Sequence, residues 1–201
     1  AGRDVPDDYT TMMLTARHDG VELDDVQVRR ILQLLMLGGI ETTTLLLSNL
    51  LHRVIVEPGL AERLRAEPLL IEQAVEECLR LDSPTLGLFR TPNEDCPVRG
   101  TTIPKDTKTM VMFAAVNRDP ALWNDPHSFR LDRDPLKLRQ HFAFGHGIHL
   151  CLGAPLARLE GAVVLEAIVP GESSSVSVRL STGDKLEADL VISATGVKPN
   201  I

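Results

Sequence analysis

FGHGIHLCLG at residues 144–153 sets one cysteine, Cys151, among three glycines, Gly145, Gly147 and Gly153. A packed core cysteine needs no such neighbours. Glycines on both sides of a thiol let the backbone come close to something bulky and flat. The residues that follow predict a helix that starts near Cys151, with Pro155 tolerated in its first turn. The free N–H groups of a helix start favour a thiolate. Leu152, Leu156, Leu159 and Val163 are the expected buried stripe of that helix.

Two chemistries fit this stretch. His141, His146, His149 and Cys151 form a nitrogen and sulfur set of the kind that holds zinc, although His-x-Cys is tight spacing for one tetrahedral ion. Axial ligation of a haem iron needs only the one sulfur and a glycine-rich approach.

Upstream, residues 25–56 read as one long helix, with Asp24 as cap, Gln27 at the capping-box position and Glu57-Pro58-Gly59 as stop. At 1.5 Å per residue it spans about 48 Å, the width of a domain larger than this chain would make. Its middle, LGGIETTT, breaks local rules. Gly38 and Gly39 cost about 1 kcal/mol each relative to alanine, and three threonines follow. Such lapses are expected at functional sites. The Thr42 hydroxyl is placed to take the Gly38 carbonyl and bend the helix open. Glu41 beside Thr42 forms an acid–alcohol pair able to relay protons.

Further helices are predicted at 60–66 and 69–81. The second carries Glu77 and Arg80 at i, i+3 in an apolar setting, positioned to tie it to a long irregular excursion at 117–140. Strands are predicted at 86–90, 98–103 and 109–113, with a turn at Pro104-Lys105-Asp106. After Ile168, a Pro170-Gly171 joint and three serines lead to an alternating Val176, Val178, Leu180 strand, a Thr182-Gly183-Asp184 turn and a buried-strand run at 190–192. The expected class is mainly α with small β-sheets and a β-hairpin tail.

The chain has 201 residues, 43% hydrophobic and 24% charged, which is globular rather than disordered. Net charge is −7 and no Lys/Arg cluster stands out, which argues against a nucleic-acid partner. Three distant cysteines argue against a disulfide scaffold and for a reducing, cytoplasmic compartment. No secretory leader is visible at the start. The most apolar stretch, 31–51, is interrupted by Glu41, so its uncharged runs are ten residues each and no membrane span is expected.

The motif series Gly38-Gly39-Ile40-Glu41-Thr42, then Glu77-Cys78-Leu79-Arg80, then Phe144 to Gly153 resembles the cytochrome P450 family, the haem-thiolate monooxygenases. GLFRTPNED at 87–95, AAVNRDPALW at 114–123 and GAPLARLE at 153–160 look like its soluble bacterial class. The resemblance covers residues 1–168 and implies the C-terminal half of an incomplete haem-thiolate fold.

It implies haem b as cofactor and Cys151 as the axial ligand of its iron. Phe144, Gly145 and Gly153 would pack around that sulfur, and Arg90 and His149 would bind propionates. Gly38 and Gly39 would line the oxygen pocket, Glu41 and Thr42 would deliver protons, and Glu77 with Arg80 would be the structural pair. The implied reaction inserts oxygen into a small apolar substrate with electrons from a ferredoxin-type partner. One departure is His127-Ser128-Phe129, where the family's arginine before the phenylalanine is missing; Arg130 or Arg133 could substitute.

Residues 176–201 resemble part of the flavin-dependent pyridine nucleotide–disulfide oxidoreductases, so 169–201 is expected to be an appended segment. With no G-x-G-x-x-G in the chain, no complete FAD or NAD site is expected. A second reading is a truncated or chimeric product that keeps haem-binding residues without turnover. A zinc module is the third.

Overall fold

The computed structural model describes residues 8–169, together with the backbone of two further strands at 176–179 and 185–188. In chain order the elements are α1 (Tyr9–Thr15), β1 (Arg17–His18), β2 (Val21–Glu22), α2 (Asp25–Val56), α3 (Leu60–Ala66) and α4 (Leu70–Leu81). There follow β3 (Leu88–Arg90), β4 (Cys96–Val98), β5 (Thr101–Ile103), β6 (Thr109–Val111), α5 (Phe113–Val116) and α6 (Pro135–Leu138). The last are α7 (Ala154–Ile168), β7 (Val176–Arg179) and β8 (Lys185–Ala188). Among the described residues every sheet is a separate antiparallel pair: β1–β2, β3–β6, β4–β5 and β7–β8. The class is mainly α with small open sheets.

The long helix forms as its caps predict. The Asp24 carboxylate accepts from Val26 N and Gln27 N, and the Gln27 side chain accepts from Asp24 N, which completes the capping box. The Thr42 hydroxyl donates to the Gly38 carbonyl at 2.6 Å, yet the helix runs on unbroken from Asp25 to Val56.

Three helices make the core. Leu46 and Leu50 on α2, Ala74, Val75, Cys78 and Leu79 on α4, and Leu165 on α7 bury one another, with α3 adding Leu60 and Leu64. The crossing is close because α7 presents small residues there. A Cβ built on Gly161 would lie 3.1 Å from one Val75 methyl and 3.2 Å from a Leu50 methyl. This corrects the expected stripe on α7: Leu152, Leu156, Leu159 and Val163 are all exposed, Leu152 at 91%. Ala154, Gly161 and Leu165 are buried in their place, since a small-residue face brings the backbones nearer and buries more of the partner helices. The helix also begins at Ala154 rather than at Cys151.

Only the C-terminal half of α2 enters this core. Leu34, Met36, Leu37 and Ile40 are exposed. Among the described residues α2 is the one helix long and apolar enough to cross a membrane by length and composition. Its base is locked to α4: Arg53 pairs with Asp82 through Nε at 2.6 Å and Nη2 at 2.8 Å, and Asn49 donates to the Asp82 carbonyl. The hydrogen bond to Asp82 raises the Arg53 guanidinium above its ordinary range, so it stays charged in this half-buried position.

The β region differs from expectation in detail. The predicted strand at 98–103 is two strands, β4 and β5, joined by a tight turn with positive φ at Arg99 and Gly100. Both central residues in the left-handed region is the geometry of a type I′ hairpin, which glycine accepts and arginine rarely signals. The first strand starts at Leu88, and the third stops at Val111 because Phe113 opens α5. In the tail, Val176 pairs with Ala188 and Arg179 with Lys185; the Thr182-Gly183-Asp184 turn and the run at 190–192 lie outside the described residues.

The helix crossing gives a direct test. Gly161→Leu overpacks the junction and should destabilise the chain by about 1–3 kcal/mol. Gly39→Ala, where an added Cβ meets nothing within 4 Å, should stabilise it by about 1 kcal/mol. Urea unfolding midpoints measure both, and opposite signs are the expected result.

Candidate functional site

The glycine-rich loop places Cys151 on the surface. Its thiol is free and exposed, and its backbone N–H donates to the Phe144 carbonyl at 3.0 Å. Gly145 and Gly147 have φ of +75° and +77°, a region closed to most side chains, so the loop doubles back on itself before the thiol. Gly153 caps α7, and a Cβ there would sit 3.9 Å from the Cys151 sulfur.

Two buried side chains pin the start of this loop through its backbone. The Asn117 amide oxygen accepts from Phe142 N at 2.7 Å, and His141 Nδ1 accepts from Ala143 N at 3.2 Å. Asn117 in turn donates to Ser83 Oγ at 2.8 Å, and its carbonyl accepts from Arg80. The loop therefore connects to α4 through the interior.

Glu77 and Arg80 have no exposed side-chain surface. Arg80 binds Glu77 bidentately, Nε and Nη2 each at 2.8 Å, and reaches the carbonyls of Asn117, Pro126 and Ser128. Arg133 joins the same carboxylate from the other side through Nε, at 2.9 and 3.0 Å. Of the two candidate substitutes for the missing arginine, Arg133 thus supplies the side chain. Arg130 gives Glu77 only its backbone N–H and turns its guanidinium to Asp125 and Asp132. Trp123 lies under Arg80 and Arg133, 5.3 and 6.0 Å from its ring centroid.

A second buried cluster was not legible in the sequence. Glu76, one residue earlier, faces His141 and Arg158: His141 Nε2 lies 2.9 Å from one carboxylate oxygen, and Arg158 binds both. Burial alone would push the Glu76 carboxyl up; hydrogen bonds from His141 and Arg158 outweigh it and hold the group down at about 2. Arg158 also lies over the Phe144 ring at 4.6 Å, and His141 tilts against the same ring at 5.8 Å. The sequence signal was two consecutive acids, Glu76 and Glu77, flanked by Ala74, Val75, Cys78 and Leu79.

The zinc reading does not survive this geometry. His141 is buried on Glu76, and His146 stacks on Phe142. Among the described residues no three His, Cys, Asp or Glu side chains converge as a metal site.

The other predicted residues are placed as follows. Gly38 and Gly39 face open space. Glu41 is exposed, with no hydrogen bond or ion pair among the described residues, and Thr42 bonds only its own helix. Arg90 is exposed and donates to the Phe89 carbonyl at 2.8 Å, and His149 is exposed. Cys78 is buried on α4, where desolvation pushes its thiol well up; it is a core residue.

Of the residues expected to hold a cofactor, Cys151, Arg90 and His149 offer an exposed thiol, guanidinium and imidazole. These residues fit a flat, largely apolar group that carries a metal and carboxylates.

The Cytochrome P450 family model matches residues 2–170. Cytochrome P450 monooxygenase PikC of Streptomyces venezuelae is 36% identical over 169 residues, covering 84% of this chain and 40% of its own length. The biotin biosynthesis cytochrome P450 of Bacillus subtilis (strain 168) is 36% identical over 162 residues, 81% of this chain and 40% of its own. The structure of cytochrome P450 CYP109Q5 from Chondromyces apiculatus superposes with a TM-score of 0.74 at 34% identity, over 83% of this chain and 45% of that one. The chain spans about two-fifths of the length of the curated relatives it matches.

Both clusters make measurable demands. Arg80→Met leaves a buried carboxylate with fewer partners and should cost about 3–5 kcal/mol of stability. Glu76 has a folded-state value below its ordinary 4.5, so its contribution is complete above about pH 4.5 and is lost as the pH falls through about 2. The full contribution is at most about 3 kcal/mol. Glu76→Gln should be less stable than the parent at pH 7, with the gap narrowing between pH 4.5 and 2.5 in urea titrations. A gap independent of pH would contradict this assignment.

Proposed function

Because the chain belongs to the cytochrome P450 family, we propose that residues 1–168 form the C-terminal half of a haem-thiolate monooxygenase domain, with 169–201 an appended segment. The observation that carries this reading is the accessible Cys151 thiol on a loop shaped by Gly145 and Gly147.

In this reading Cys151 ligates the iron of haem b. The haem, when bound, supplies dioxygen activation, and a thiolate ligand favours O–O cleavage. Gly145 and Gly153 keep side chains out of the approach to the sulfur, and Phe144 shields it. Arg90 and His149 hold the propionates as charged or hydrogen-bonding donors. Gly38 and Gly39 leave room beside α2. Thr42 keeps its hydroxyl within reach of Gly38, and Glu41, exposed beside it, exchanges protons with solvent on its behalf. Glu77 and Arg80 hold the loop from behind. The substrate would be small and apolar, and the electrons would come from a ferredoxin-type partner. No FAD or NAD site is part of this reading. Leu46 and Leu50, each 1% exposed, seat the C-terminal half of α2 in the core.

The bare apolar faces of α2 and α7 favour a second reading, haem binding without turnover.

The test uses the full chain with added haem. Reduction under carbon monoxide should give a strongly red-shifted Soret band, and Cys151→Ser should abolish it. An unchanged spectrum in Cys151→Ser would overturn the ligand assignment. Oxygen consumption with a ferredoxin donor and an apolar substrate separates the two readings: turnover supports the first, its absence the second.

A further inference from the structure

The Cys151 loop is held by a histidine whose tautomer can be read from its neighbours. Ala143 N–H points at His141 Nδ1 at 3.2 Å. A backbone N–H has no lone pair to offer, so Nδ1 must accept and carries no proton. The proton of the ring is then on Nε2, which stands 2.9 Å from a Glu76 oxygen. That oxygen must accept, so Glu76 is a carboxylate, and the Arg158 guanidinium on the same group agrees. A neutral imidazole donates to Glu76 without adding charge, and the Arg158 guanidinium supplies the positive charge beside the carboxylate.

We propose that His141, as the neutral Nε2–H tautomer, is a positioning residue for Cys151. The proposal rests on reading Cys151 as the axial ligand. Its Nε2–H is anchored to α4 through Glu76, which Arg158 ties to α7. Its Nδ1 holds the backbone at Ala143, and the next residue, Phe144, offers the carbonyl that accepts from Cys151 N–H. The Phe144 ring meets both the imidazole and the Arg158 guanidinium. Rotation or protonation of His141 at Nδ1 would take away the acceptor for Ala143 and release the loop on that side, leaving Asn117 as the remaining buried anchor of this segment.

The first measurement needs no variant. Long-range proton–nitrogen NMR correlations on the labelled full chain at pH 7.5 should show His141 neutral, protonated at Nε2 and bare at Nδ1. An Nδ1–H tautomer or an imidazolium would overturn the proposal.

Two variants then divide the functions of the ring. His141→Asn places an amide oxygen where Nδ1 stands and keeps the acceptor for Ala143. His141→Gln places an amide nitrogen near Nε2 and keeps the donor for Glu76. Amide exchange at Ala143 and Cys151 in the haem-free chain should stay within about twofold of the parent in Asn. It should rise about tenfold or more in Gln. With haem and carbon monoxide, Asn should retain the red-shifted band and Gln should lose at least half of it.

A merely structural role would follow the Glu76 bond and reverse the order of the two variants. That reversal, or equal effects in both, would sink the positioning role. The exchange measurement involves no haem, so it stands even if Cys151→Ser removes the ligand assignment.

Discussion

A carboxylate and a guanidinium can share a site without water only if every donor and acceptor between them is met by protein. Glu77 and Arg80 meet that demand by pulling in distant backbone. Carbonyls at Asn117, Pro126 and Ser128 and the N–H of Arg130 all converge on the pair. Among the described residues no buried side-chain nitrogen or oxygen is left without a partner. Residues 117–140 contain one short helix, α6, and yet follow a defined path, because α4 dictates where their backbone must go. Asn117 passes the same constraint on to the cysteine loop. Surface chemistry at Cys151 is thus referred back to a charge pair in the interior.

Glu76 and Glu77 show how one helix serves two sides. Consecutive residues on α4 point about 100° apart, so one carboxylate meets the excursion and the other meets α7 and the loop. Every residue from Ala74 to Leu81 is buried, which with Glu76, Glu77 and Arg80 among them is tolerable only with this degree of pairing. The apolar part of the same helix packs on α2 and α7, with Gly161 setting the distance.

The helices were legible because their ends carry local signals. Asp24 with Gln27 opens α2, Glu57-Pro58-Gly59 closes it, and α3 spans residues 60–66 as expected. The hairpin between β4 and β5 was not, since Arg99 in the left-handed region carries no turn signature of its own. On α7 the periodicity showed which face is apolar but not which face meets a partner; the small-residue face won because close approach outweighs side-chain size. At the site, Cys151 stood out through its glycines. The grouping of Glu76 with His141 and Arg158 did not, as the latter two lie 65 and 82 residues from Glu76 in sequence and no short motif links them. Arg133 could be named as a candidate from sequence and assigned only once its distance to Glu77 was known.

The partners of Arg80 and Arg133 in the excursion are carbonyl oxygens: Asn117, Asn124, Asp125, Pro126 and Ser128. A carbonyl is the same whatever side chain accompanies it. The segment is therefore permissive toward substitution at Asn124, Pro126 and Ser128, whose backbone alone is used, and intolerant of insertion or deletion, the reverse of an ordinary surface loop. Its identity is written in its length, and one residue more or fewer would offer the buried arginines the wrong atoms.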